Sequence, residues 1–533
     1  ALSRRRPGLD LPLLAGGEVR FSAERIFSDS IRVDAGRSRI VVSFDVPLEG
    51  EPKKPGVIGF AADARVDIGE AAAAAAPAAP APAGILEAQV RGSGRAETLM
   101  GLFPAGEAAD AASIRKAWAD IDLGGEVRAA GLELQAAGSP LRLSRASAAA
   151  KLSGGDVTGV DASFLLGGSP WKATGDLRGI MPALAELSLL ARGDGRPKTP
   201  GEALERLTAS PDVSLSVTGR SFNAIPLQEA SAERKAGAAP AATGAGGPEA
   251  NPLAGNPATL LLLKKTFVSV RVDSVIATGA VLTDIDARAR LSDGILRADP
   301  VTMRYAGGSG SGTVKADLRD PSRIPAEIDI DFKGVQADQA LPGRHGAAGM
   351  VSGEFSLSIG GRFESGPGID FLESLTAAGS AASTNGQVDL SRFTEPLKAA
   401  GIALPFAERF SFDEWVEKFT VGGGRVAADL WQIRSDSGNW DISGSFGFDG
   451  TIDYRAKLLL TPAMQSRMKD LGQYRDLVDL FRDEAGNLVF EFDIGGTARS
   501  PKMQLDQTKA QQKAGENLIE GARKKLLDLL KKK

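Results

Sequence analysis

The sequence predicts a mainly β fold: an elongated, curled antiparallel β-sheet that forms a groove of repeated meanders, with a few short helices and a C-terminal amphipathic helix. Three observations carry that expectation. Short runs alternate apolar and charged residues with a period of two, as a strand with one dry and one wet face requires. The 64 Gly and 29 Pro among 533 residues punctuate the chain with turns. Helical periodicity is confined to a few brief stretches.

The pattern is clearest over residues 266–332. Val268, Val270 and Val272 alternate with Ser269, Arg271 and Asp273, and Ile285, Ala287, Ala289 and Leu291 with Asp284, Asp286, Arg288 and Arg290. After a Ser-Asp-Gly turn, Val301, Met303 and Tyr305 alternate with Thr302 and Arg304. A glycine-serine turn at 307–310 leads to Val314, Ala316 and Leu318, and Ile328, Ile330 and Phe332 then oppose Asp329 and Asp331. Strands joined by such tight turns pair antiparallel, because a parallel pair needs a long crossover. The result is one sheet with one apolar face. Leaving a Val, Leu, Ile or Phe in water costs about 1.5–3 kcal/mol, and a domain is stable by only about 5–15 kcal/mol. That face must therefore lie against a second sheet, against helices, or against something that is not protein.

Composition narrows the classes. A hydrophobic content of 43% excludes wholesale disorder, and a net charge of -4 argues against a nucleic-acid partner, which calls for concentrated Lys and Arg. Zero Cys rules out disulfides and fits a reducing compartment or an extended bacterial envelope protein. No run approaches the ~20 apolar residues of a membrane-spanning helix; residues 260–263 are cut off by Lys264 and Lys265. The chain opens on Ala1, as a processed or truncated form would.

The order along the chain gives six segments. Residues 1–70 hold a first β segment, with strand-like runs at 19–26, 31–46 and 57–68. Residues 71–83 are an Ala/Pro-rich linker or loop whose prolines favour an extended spacer. Residues 84–234 form a middle meander with short helices at 106–120, where Ile114 and Trp118 share a face, and at 200–207; residues 187–192 read as a strand. Residues 235–258 are a second low-complexity linker or loop. Residues 259–506 carry the clearest strands, with helical turns at 335–341 and 369–375, a helix at 390–400, and another opened by Thr461-Pro462 with Met464, Met468, Leu471, Leu477 and Phe481 at helical spacing. Residues 507–533 are a basic amphipathic helix: Leu518, Ile519, Ala522, Leu526, Leu529 and Leu530 form a stripe flanked by Arg523, Lys524 and Lys525. Such a helix lies on an anionic membrane surface or caps the open end of the last sheet.

Residues 355–506 hold an ordered set of short motifs. First come the helix Phe371-Leu372-Glu373-Ser374-Leu375 before a small-residue strand, and the Asn385-Gly386 turn. Then come Gly424-Arg425-Val426 opening a strand pair, Ile442-Ser443-Gly444-Ser445-Phe446, Ile452-Asp453-Tyr454-Arg455, and the closing strand Val489-Phe490-Glu491-Phe492-Asp493-Ile494. In this order they resemble the C-terminal region of the AsmA-like family of bacterial envelope proteins, in the style of bridge-like lipid-transfer proteins; residues 1–232 match only in strand pattern. The resemblance implies a non-enzymatic groove carrying phospholipid between inner and outer membrane and supporting outer-membrane assembly. It places the protein in the periplasm of a diderm bacterium, anchored in the inner membrane by an N-terminal helix absent from this chain, with envelope proteins as further partners. The residues expected to line the groove are the inward positions Val268, Val270, Val272, Ile285, Ala287, Ala289, Leu291, Met303, Tyr305, Val314, Ala316, Leu318, Ile328, Ile330 and Phe332. With them go Ile452, Tyr454, Leu458, Leu460, Phe490, Phe492 and Ile494.

No catalytic, metal or cofactor site is expected. The one histidine, His345, sits in a loop-like PGRHGAAG and reads as solvated. The glycine run from Gly307 to Lys315 lacks the Gly-Lys-Ser/Thr ending of a phosphate loop and runs into a strand. Glu327, Asp329 and Asp331 read as the wet face of a strand rather than as calcium ligands. The alternative to a lipid groove is a scaffold whose apolar sheet face packs on itself or on a partner protein.

Overall fold

The structure, a computed structural model, describes residues 2–3, 13–47, 56–70, 82–95, 98, 110–135, 140–192, 200–226, 257–277, 280–320, 322–340, 350–366, 369–391, 394–395, 408–468, 481–497 and 500–506. In these residues 26 strands form one sheet. From the strand Arg25–Ala35 onward, each strand pairs with the next as alternating polarity and tight turns dictate. One place departs from simple succession. The strand Val351–Ser365 pairs with both Thr376–Ser383 and Gly386–Asp389, and both of these pair with Arg409–Gly422. The fold is mainly β with few short helices, as the sequence predicts.

One described pairing is parallel. Asp212–Asn223 lies beside Lys265–Ala277, with Val213 opposite Thr266, Leu215 opposite Val268 and Val217 opposite Val270. The low-complexity stretch at 235–258 thus belongs to a crossover, which is what a parallel pair demands. Residues 235–256 and 71–81 lie outside the described residues, as do His345 and all of 507–533 with its expected membrane-surface residues.

The register keeps apolar residues opposite one another across many strands. Val268 faces Ala289, Ala298 faces Val314, Val314 faces Ile328, and Ile330 faces Ile359. A one-residue slip would turn each of these sets to the wet side, so the alternation fixes the register. The other face carries cross-strand ion pairs: Arg271 to Asp286 at 2.8 Å, Lys315 to Glu327 at 3.0 Å and Lys172 to Asp161 at 3.1 Å. These are exposed and contribute about 0–1 kcal/mol each.

The helices depart from the sequence expectation in instructive ways. The helix expected over 106–120 runs Ala111–Asp120, because Asp110 caps it by accepting from the Ser113 N–H at 2.8 Å. Residues 187–192, expected as a strand, belong to a helix Ile180–Arg192. The run Met-Pro-Ala-Leu-Ala-Glu-Leu has no β-branched residue and strong helix formers, and its Pro falls in the first turn. Glu186 on this helix is buried and pairs with Arg115 of the other at 2.6 Å; the arginine holds its carboxyl below the usual range. Residues 31–46 are two strands, Arg25–Ala35 and Ser38–Pro47, split by a turn in which Gly36 adopts φ 57°.

Candidate apolar groove

No second sheet covers the apolar face among the described residues. The sheet covers it by curling. Val335, in the strand Ile324–Gln336, and Met503, in the last strand Ser500–Leu505, line one cavity of about 470 Å³. Eight lateral steps separate those strands. At about 4.8 Å per step a flat sheet would hold them about 38 Å apart.

The expected lining residues occupy this face. Val272, Ala289, Met303, Ala316, Leu458, Leu460, Phe490 and Phe492 are buried. Val268, Val270, Ile285, Ala287, Leu291, Tyr305, Val314, Leu318, Ile328, Ile330, Phe332, Ile452, Tyr454 and Ile494 are half-buried. The structure divides them into two groups. Val301, Met303 and their neighbours Ile285, Val314, Ile330 and Phe332 form one cluster; Leu458, Phe490 and Phe492 belong to a larger one with Phe410, Phe412, Trp415 and Trp440. Leu291 and Leu318 differ from the rest. They pack against the helices Pro200–Arg206 and Pro257–Lys264, through Leu204, Leu207, Leu260 and Leu263. Lys264 ties that pair down, donating to the Leu204 carbonyl at 3.0 Å and meeting Asp293 at 2.6 Å. At that end the cover is protein.

Burial changes along the chain. Before Ala146 no apolar strand residue among those described is buried, and on the apolar face Ile40 and Phe21 are 37% and 73% exposed. Beyond residue 350 the face is packed: Phe410 stacks on Trp440 at 5.6 Å, and Phe355 meets Trp415 edge-on at 5.6 Å. The apolar face is therefore open toward the N-terminal strands and closes toward the C-terminal ones.

The floor of the closed end holds a group the sequence reading passed over. In Arg409–Gly422 the alternation runs Trp415, Glu417, Phe419, which puts a carboxyl among the apolar positions, opposite Ala381 on one neighbouring strand and Trp431 on the other. Among the described residues lining the cavity, Glu417 has the one carboxyl. Burial pushes it up to about 7, while the nearby indole N–H groups of Trp415 and Trp431 pull the other way. Neither indole closes a hydrogen bond: both nitrogens are buried without a partner. Tyr454 lies against Trp431, ring centres 4.9 Å apart, and its hydroxyl is raised by burial and by Glu417. Its ring has room because Gly444, φ 136°, stands opposite, where a Cβ would fall 2.8 Å from the ring. The signal for Glu417 was its phase: a charged residue on the wrong side of a strand.

No protein family matches the chain by sequence, and no curated protein matches it. Among the described residues no helix is long and apolar enough to cross a membrane.

Proposed function

We propose that the apolar face is a groove that carries the acyl chains of phospholipid, in a non-enzymatic protein of the bacterial cell envelope that moves lipid between inner and outer membrane and so supports outer-membrane assembly. One observation carries the reading: a continuous apolar face, in register across the sheet, whose N-terminal strands carry exposed apolar side chains with no second sheet over them among the described residues. Exposed apolar area of this kind marks a binding surface. The envelope setting, in the periplasm with an inner-membrane anchor, rests on the order of motifs that resembles the AsmA-like C-terminal region. The scaffold alternative draws its support from the C-terminal end, where the aromatic cluster and the helices over Leu291 and Leu318 are protein packed on protein. The two readings separate at the open end. Native mass spectrometry and organic extraction of the full chain purified from a diderm host test them. Stoichiometric phospholipid, together with lipid crosslinks from a photoreactive residue at Ile285, is the expected result. A lipid-free protein that never crosslinks would leave the scaffold.

A further inference from the structure

A carboxyl on the floor of an apolar cavity is costly unless something compensates it. The protein compensates Glu417 poorly. Among the described residues no Lys or Arg lies within ion-pair distance of it. The two indole N–H groups beside it are near enough to pull its carboxyl down, yet neither closes a hydrogen bond. The groups facing it across the strands are Ala381 and Trp431, with Tyr454 beyond; none carries a positive charge. Arg425, on a neighbouring strand, is engaged elsewhere: it donates to the Ser445 hydroxyl at 2.9 Å and to the Thr451 hydroxyl at 2.8 Å.

The surroundings favour one sign of ligand charge. Trp415, Trp431 and Tyr454 bring three aromatic rings to the same cavity, with neighbouring ring centres 6.0 Å and 4.9 Å apart. Ring faces attract cations, more strongly where water is excluded. The cavity, at about 470 Å³, falls within the range of about 300–1,000 Å³ usual for small-molecule sites. From these observations we propose that this cavity selects amphiphiles whose polar end carries an alkylammonium group, which pairs with the Glu417 carboxylate beside the rings of Trp431 and Tyr454 while the alkyl chain lies along the groove. An anionic head meets a like charge there, and a neutral one leaves the carboxylate without a partner. This inference rests on the lipid-carrying reading of the groove and adds to it a choice of head group.

The test titrates the full chain with four single-chain amphiphiles of equal chain length, each below its micelle concentration. They are an alkylamine, a fatty acid, a lysophospholipid with a phosphoethanolamine head and one with a phosphoglycerol head. Tryptophan fluorescence reads binding at pH 8, where Glu417 is mostly ionised and an alkylamine is charged. Both ammonium ligands are expected to bind at least tenfold more tightly than their anionic counterparts. In Glu417→Gln that ratio falls to within about twofold, and Glu417→Asp restores part of it. Selectivity confined to the alkylamine identifies a bare amine as the ligand; selectivity in both pairs admits the zwitterionic lipid. Equal binding of all four to the wild-type chain overturns the head-group choice and leaves the lipid groove standing, as does a Glu417→Gln ratio that does not change. If none of the four binds, the groove reading falls and this inference with it.

Discussion

Replacing Ile328 by Asp separates an open groove from a closed core. Ile328 is half-buried, and its cross-strand neighbours on the apolar face are Val314 on one side and Gly361 on the other. Full burial of an isoleucine is worth about 1.5–3 kcal/mol, so losing half of it costs about 0.8–1.5 kcal/mol. With access to water the carboxylate stays hydrated and adds little. For a chain this long, a loss of that size lowers Tm by only a few degrees. Lipid carriage responds differently: an acyl chain laid over the introduced carboxylate would have to desolvate a charge, which excludes the chain or forces protonation. Thermal melting by circular dichroism reports the first effect, and lipid crosslinking from Ile285 the second. The expected outcome is a folded protein that has lost its crosslink. Leu458→Asp is the contrast, since Leu458 is fully buried in the aromatic cluster; an unpaired charge there costs several kcal/mol and unfolds that end. If Ile328→Asp melts as early as Leu458→Asp, the face around Ile328 is a packed core and the reasoning fails.

Three further outcomes are expected. Burial raises the Glu417 carboxyl, so the folded state resists its ionisation; stability then falls as pH rises from the ordinary carboxylate range through about 7. Glu417→Gln should be near neutral at pH 5 and stabilising by about 1–3 kcal/mol at pH 8, and a melting curve that moves equally at both values would contradict this. Gly444→Ala should destabilise the chain by more than about 1 kcal/mol, since φ is 136° and the added Cβ would lie 2.1 Å from the Asp453 carbonyl oxygen; unchanged denaturant melting would refute it. The crossover into the parallel pair must return along a strand of 12 residues, about 40 Å. Removing residues 236–250 leaves enough chain, at about 3.3 Å per residue, and should leave Tm nearly unchanged, whereas removing 227–256 should abolish the seam and expose Val213 and Thr266 to hydrogen exchange.

Strand-level structure was readable because a period of two is a local property. Val268, Val270 and Val272 reveal their face without reference to any partner, and their tight turns leave only antiparallel neighbours. The seam at Val213 and Thr266 was not readable: its partners are brought together by a crossover whose low-complexity sequence holds no sign of where it returns. Ile180–Arg192 was misread because Leu187, Leu189 and Leu190 suit a strand as well as a helix, and the ion pair of buried Glu186 with Arg115 that anchors it spans 71 positions. Trp415 and Glu417 were hidden for a further reason. The register shifts between Phe412 and Glu414, which breaks the period just before them, and a glutamate in an apolar phase looks like the end of a strand rather than a feature of it.

The one parallel seam among the described strands also bears on how the protein forms. On either side of it nearly every strand meets its neighbour in sequence, so each meander can grow hairpin by hairpin at small entropic cost. The seam joins residues 53 apart, Val213 with Thr266, and waits on closure of the whole intervening loop. Two fast-forming halves docked by one slow junction behave as a quasi-one-dimensional array. Whole hairpins can be gained or lost within either half without disturbing the cross-section of the other, so the length of the apolar track is free to change while its width and chemistry are kept.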